Sequence, residues 1–157
     1  MKLIPLTRGH VAQVSDCDYP WISQHSWCAV GTLLNNRYAR RMDADRQSIT
    51  MHLEVAKRMG IVGLVDHQDR NTFNNQRENL RPCTVVQNAQ NRGKRANAKF
   101  RYKGVVWTPH MQQWRARITL NKKLIHLGYF FDEADAARAY DEAARTCFGA
   151  FACPNFP

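Results

Sequence analysis

One clean alternation and one helical stripe dominate the second half of the chain. Over residues 113–120, Trp114, Ala116, Ile118 and Leu120 share one side, and Gln113, Arg115, Arg117 and Thr119 the other. That is the period-two signature of a half-buried strand. Asn121-Lys122 predicts a two-residue turn into a further strand over 124–130. From Asp132 a helix is expected to about Phe148, capped by Gly149, with Ala134, Ala137, Tyr140, Ala144 and Cys147 as its buried stripe. Small alanines let such a helix lie close to a sheet, and its acidic residues are expected to face away from it.

Before residue 92 the pattern breaks into shorter pieces. Pro5 to Val14 reads as a strand. Trp27 to Val30 and Arg37 to Arg41 read as a pair joined across Leu33, Leu34, Asn35 and Asn36. Ile49 to Met59 reads as a short strand running into a helix stopped by Gly60. Gly63 to Asp66 and Asn79 to Arg81 are short strands, separated by a polar loop over 68–76. Thr84-Val-Val-Gln87 is a capping box opening a short helix, with Asn88 and Asn91 on one face before Gly93. Residues 91–99 carry no apolar periodicity and mark a boundary. The expectation is an α+β chain: a domain over 1–92, a basic linker over 93–99, and over 100–157 a three-stranded antiparallel sheet packed on one helix.

Charge adds a partner. Twenty-three Lys and Arg against 13 Asp and Glu leave a formal +10, which favours a polyanion. The charge is also segregated. Residues 92–131 hold basic side chains and no Asp or Glu, while Asp132, Glu133, Asp135, Asp141 and Glu142 follow together. Five cysteines without a C-x-x-C read as reduced, mostly buried thiols in a cytoplasmic protein without a zinc finger. No stretch has the apolar length of a signal peptide or a membrane span, so no membrane partner is expected. Trp21, Trp27 and Trp114 read as core. Trp107 fits core or interface; Arg37, Arg40 and Arg41 fit a solvated strand face or a DNA-contacting hairpin.

Chemistry concentrates in residues 65–91. Hydrolysing a phosphodiester needs a base for water and charge neutralisation on the phosphate. His67 is the candidate base. Asp66 and the Asn88 amide offer two hard oxygen ligands, which with waters and substrate phosphate suit Mg²⁺ or Mn²⁺. Neighbours in a regular strand point to opposite faces, so Asp66 and His67 can flank one phosphate only where the strand bends, as the polar loop from Gln68 allows. His52, beside Met51 and Leu53, reads as packing or hydrogen-bonding behind such a site.

The segments V-D-H (65–67), N-N-x-x-x-N-L-R (74–81) and Q-N-x-x-N (87–91) resemble HNH endonucleases of the ββα-metal (His-Me finger) class, particularly the phage and intron homing type. I-P-L-T-R-G (4–9) and M-H-L (51–53) resemble the same group's N-terminal portion. The resemblance implies Asp66 and Asn88 as metal ligands and His67 as general base. Asn79 would tie the loop and orient His67, while Asn75 and Asn91 would brace the loop or support the phosphate. Asn88 stands where many members have a metal-binding His. Family products would be a 5′-phosphate and a 3′-hydroxyl; one site per chain implies nicking, with a homodimer or two events needed for a double-strand break.

From residue 100 the chain resembles the APETALA/ethylene-response-factor (AP2/ERF) DNA-binding domain in Y-K-G-V-V-W (102–107), W-R-A-R-I (114–118), L-G-Y-F (127–130), E-A-D-A-A-R-A-Y-D-E-A-A (133–144) and N-F-P (155–157). The resemblance implies a sheet in the major groove of double-stranded DNA, with Lys103, Trp107, Arg115, Arg117, Thr119 and His126 facing it. Arg101 and the linker residues Arg92, Lys94 and Arg95 would add contacts. Val106 and His126 replace the family's Arg and Trp, and Lys103 replaces an Arg able to grip guanine with two bonds. More phosphate anchoring than base discrimination is therefore expected. The expectation is a metal-dependent DNA endonuclease in a bacterial or phage-infected cell; the alternative is a DNA-binding regulator with a decayed nuclease half.

Overall fold

A computed structural model describes residues 1–31, 37–94 and 99–156. The chain divides into two compact units, Met1–Asn88 and Ala89–Pro157. The division falls inside a helix rather than at the polar stretch after residue 92.

The first unit begins with β1 (Lys2–Pro5) and β2 (Val11–Val14), antiparallel with Ile4 opposite Ala12. The single strand expected over Pro5 to Val14 is thus a hairpin. Arg8 and Gly9 take φ of 61° and 72°, closing a 3-10 turn over Thr7–Gly9. The fold then passes through α1 (Tyr19–Ile22) to β3 (Cys28–Val30), β4 (Tyr38–Met42) and β5 (Ser48–Thr50), an antiparallel sheet with β4 in the middle. Ala29 lies opposite Ala39, so the expected pairing forms; its turn, Leu33 to Asn36, lies outside the described residues. Thr50 leads into α2 (Met51–Arg58).

After α2, β6 (Val65–His67) pairs antiparallel with β8 (Leu80–Pro82), and between them β7 (Asn74–Asn75) leaves the polar loop to pair parallel with β2. The predicted capping box closes reciprocally: Gln87 N donates to Thr84 Oγ1 at 3.1 Å and Thr84 N to Gln87 Oε1 at 2.8 Å. It opens α3 (Val85–Gln90). Ile4, Ala12, Val14, Ile22, Trp27, Met51, Val55 and Leu80 form one core. Asp18, fully buried, is gripped by Arg77 through two 2.7 Å bonds.

In the second unit, β9 (Val105–Thr108), β10 (Gln113–Leu120) and β11 (Lys123–Phe130) form an antiparallel sheet with β10 central, backed by α4 (Glu133–Phe148). Asn121 and Lys122 take φ of 50° and 65°, the positive values a tight two-residue hairpin demands. Asp132 caps α4 by accepting from Ala134 N and Asp135 N.

Two expectations for α4 need correction. Cys147 is exposed, and the buried stripe runs through Ala136, Ala137, Tyr140, Asp141 and Ala144. Asp141 does not face away: it is 1% exposed and accepts from Asn155 N, Asn155 Nδ2 and Phe156 N. A buried carboxylate persists only when so supplied with donors. The cysteines are all free, but Cys17, Cys28 and Cys147 are exposed and only Cys153 is buried, against the expectation of mostly buried thiols.

Gly104 marks the closest approach of chain to helix. Its φ is +78°, and a Cβ there would meet Tyr140 Cδ2 at 2.0 Å. Gly104→Ala should therefore destabilise the second unit by roughly 2–4 kcal/mol, from left-handed backbone strain and overpacking together. Thermal unfolding checks this; an unchanged Tm would mean that Tyr140 repacks freely.

Candidate active site and nucleic-acid interface

His67 ends β6 and is 6% exposed. Its Nε2 lies 3.3 Å from Asn75 Oδ1. The amide's orientation is settled by its other side, because Nδ2 donates to the Phe73 carbonyl at 3.2 Å, a group that can only accept. Oδ1 therefore faces the imidazole, Nε2 must carry the proton, and Nδ1 is left with the lone pair. Nδ2 also reaches Met51 Sδ at 3.3 Å. Burial pushes the His67 pKa below its ordinary value, against the raising effects of the Asn75 bond and of Asp69 and Asp66. Burial thus favours the neutral ring.

His52, on the first turn of α2, meets His67 edge-on with centroids 4.9 Å apart, and the Tyr38 ring lies 5.2 Å from His52. Burial, then the charges of His67 and Arg40, push the His52 pKa down to about 3. Tyr38 and Arg40 are not singled out by the sequence as neighbours of His52. The alternation along β4 carries that signal, since Ala39, 1% exposed, fixes which face its neighbours occupy.

Asp66 sits opposite Arg81 across the β6–β8 pair, and Arg81 Nε and Nη2 both reach its Oδ2, at 3.0 and 2.8 Å. Asn79, 6% exposed, ties the loop: its Nδ2 donates to Asp69 Oδ1 and Asn74 O, and its Oδ1 accepts from Asp69 N. His67 Nε2 donates to Asn75 Oδ1. Asn88 is half-buried on α3, and Asn91, 4% exposed, follows it. Among the described residues, no three His, Cys, Asp or Glu side chains are grouped to hold a metal ion.

In the second unit the register sorts the expected interface residues. Ala116, opposite Val105, packs in the core with Ala136 and Ala137. Arg115, Arg117 and Thr119 take the other face, opposite Tyr129, His126 and Leu124 of β11, with Val106 opposite Arg115 on β9. His126 and Tyr129 rings lie 4.6 Å apart. Trp107 does not join this face. It pairs with Trp114, their rings 5.1 Å apart and edge-on, because it shares the parity of buried Val105.

Lys103 is engaged elsewhere: Nζ donates to Gln90 O at 2.9 Å and Arg92 O at 2.6 Å, and its N–H to Asn155 Oδ1. Arg101, Arg92 and Lys94 are exposed; Arg95 lies outside the described residues. A basic cleft of about 580 Å³ is lined by Arg92, Lys94, Lys99, Lys103 and Arg117 with Phe100 and Tyr102. Among the described residues no helix is long and apolar enough to cross a membrane.

No protein-family model matches the chain. Over 62 residues it is 47% identical to an AP2/ERF and B3 domain-containing protein of Oryza sativa subsp. japonica. That stretch is 40% of this chain and 17% of the rice protein, so the chain spans less than a fifth of that relative. The likeness supports a region of AP2/ERF type here.

The buried imidazoles predict a pH dependence. An unfolded His takes a proton as pH falls through about 6.5, whereas folded His52 resists until about 3. The unfolded state then binds more protons, so stability falls as pH drops through that window. For His52 alone the loss between neutrality and mild acid is about 2 kcal/mol. Thermal melts across this range should show it, and His52→Phe should flatten the slope; an unchanged slope would remove His52 as the source.

Proposed function

We propose that the chain is a DNA-binding endonuclease. Its second unit would dock on duplex DNA through Arg115, Arg117, Thr119 and His126, and its first would hydrolyse a phosphodiester through an HNH-type site built on β6, β8 and α3. The observation that carries the catalytic half is His67: buried, with Nε2–H committed to Asn75, so that Nδ1 is the proton acceptor in this reading. In this reading His67 Nδ1 takes a proton from water as the water oxygen bonds to phosphorus. The P–O3′ bond breaks, and the 3′-oxygen leaves as a hydroxyl after taking a proton from solvent. Asn75 keeps the ring from turning, and Asn79 holds the Asp69 loop beside it.

In this reading Asp66 and Asn88 would supply carboxylate and amide oxygens, too few for a closed cage and of the kind that suits Mg²⁺ or Mn²⁺ completed by water and phosphate. Such an ion would stabilise charge on the phosphate and its leaving oxygen.

A second reading is a DNA-binding protein without hydrolytic activity. It is favoured by the Arg81 guanidinium on Asp66 Oδ2, which competes with a cation, and by a relative that matches the chain over 62 residues only.

Supercoiled plasmid separates the two. Wild type should give nicked circles with Mg²⁺ and none with EDTA, and both His67→Ala and Asn88→Ala should lose nicking while retaining DNA binding. Binding without nicking under every condition would favour the second reading. For the docking face, Arg115→Ala should lower the slope of log affinity against log salt by about one unit if the side chain meets a phosphate. A slope equal to wild type would take Arg115 out of the interface.

A further inference from the structure

β4 presents two different faces. Ala39 lies in the core, and Arg41 pairs with Glu54 at 3.1 Å and lies over the Trp27 ring. Tyr38 and Arg40 take the opposite parity, towards the two histidines. The Tyr38 ring is 5.2 Å from His52 and 6.3 Å from His67, and the Arg40 charge acts on His52. A guanidinium, a phenol and two imidazoles thus converge from β4, α2 and β6.

Among the described residues, no carboxylate is paired with Arg40 or His52 in this cluster. Arg40 Nε and His52 Nδ1 are both buried without a hydrogen-bond partner. Arg40 brings a positive charge to His52, while Glu54, the acid in the first turn of α2, is committed to Arg41. Thr50 makes no side-chain cap for the same turn, so the helix end adds its positive dipole without a capping oxygen. An unpartnered buried guanidinium N–H calls for an explanation, and beside a buried imidazole with an unpartnered nitrogen a bound group is one. The missing chemistry here is an anion rich in oxygen.

We propose that Arg40, His52 and Tyr38 form a subsite for a backbone phosphodiester of DNA, next to His67. The assignment of that phosphate as the one hydrolysed rests on the endonuclease reading above. Arg40 offsets the phosphate charge, and His52 and Tyr38 supply polar edges that orient it against the base. The solvated-face reading of Arg37, Arg40 and Arg41 does not describe β4, where Arg40 and Arg41 are half-buried and serve opposite faces.

The test uses the full chain in EDTA, with a short DNA duplex or inorganic phosphate as probe and the His52 ring resonances as readout. Saturating duplex should shift those resonances. Arg40→Gln should lower the salt slope of duplex binding by about 0.9 and, with Mg²⁺, reduce nicking by about 10²-fold or more. Arg40→Lys should fall between the two. Should Arg40→Gln lower the melting temperature sharply, the wild-type resonances and the Lys variant carry the test.

His52 resonances that stay fixed under saturating duplex would overturn the subsite, even if inorganic phosphate moves them. Nicking abolished by His67→Ala but untouched by Arg40→Gln would overturn the subsite and leave the nuclease standing. Resonances that move with duplex, with an Arg40-dependent slope but no nicking by wild type, would keep the phosphate site and remove the nuclease.

Discussion

Asn75 is 1% exposed, and its amide must find every partner inside the protein. The Phe73 carbonyl takes one amide hydrogen, Met51 Sδ receives the other side of Nδ2, and the oxygen is left for His67. A backbone carbonyl, which cannot change its hydrogen-bonding sense, therefore decides which imidazole nitrogen holds the proton. Asn75 is in place because β7 pairs with β2, setting Asn75 opposite Val14 of the core. Met51, also fully buried, touches Asn75, and the next residue, His52, lies against His67. Core packing and proton placement are consequently one structure in the first unit, and a core change at Met51 would be felt at the imidazole.

The second unit depends on a comparable buried carboxylate. Asp141 accepts three N–H bonds from Asn155 and Phe156, and Asn155 then bonds both the N–H and the carbonyl of Lys103. That clamps the residue before Gly104, whose missing side chain admits Tyr140 and whose carbonyl accepts from Arg117 N. Sheet, helix and C-terminal segment meet at this one point. The N-F-P ending is thus structural in its Asn and Phe; Pro157 lies outside the described residues.

Periodic features were legible in the sequence, and features set by long-range pairing were not. The alternation of β10, the Asn121-Lys122 turn, the helix starting at Asp132 and the Thr84–Gln87 box depend on a few adjacent residues, and each forms. Pro5 to Val14 misled because a turn built on left-handed Arg8 has no strong local signal. Trp107 misled because its parity is counted from Val105, whose burial is settled only by pairing with Ala116. At the candidate site, His67, Asp66, Asn79 and Asn88 were named from motif spacing. The contact from Asn75 to His67, and the approach of Tyr38 and Arg40, arise from β7 and β4 pairings that no local window contains.

The proposed docking face has a geometry that bears on what it can read. Arg115 and Arg117 stand two residues apart on one strand, about 6.8 Å along it, which matches two base steps of about 3.4 Å in duplex DNA. A strand lying along the groove would then present successive side chains to alternate base pairs. Around these two arginines the face is largely apolar or aromatic: Val106, Leu124, His126 and Tyr129. Such neighbours exclude water and touch thymine methyl groups, but they offer few directed bonds to base edges. Lys103, which could have widened the hydrogen-bonding repertoire, spends its amine on the Gln90 and Arg92 carbonyls. Discrimination on this reading rests mainly on two guanidinium groups, with Thr119 and His126 beside them, and affinity rests on the remaining basic surface. A protein so built would bind many sequences tightly and prefer few of them, so that the position of any cut would be set more by where the backbone fits than by which bases are read.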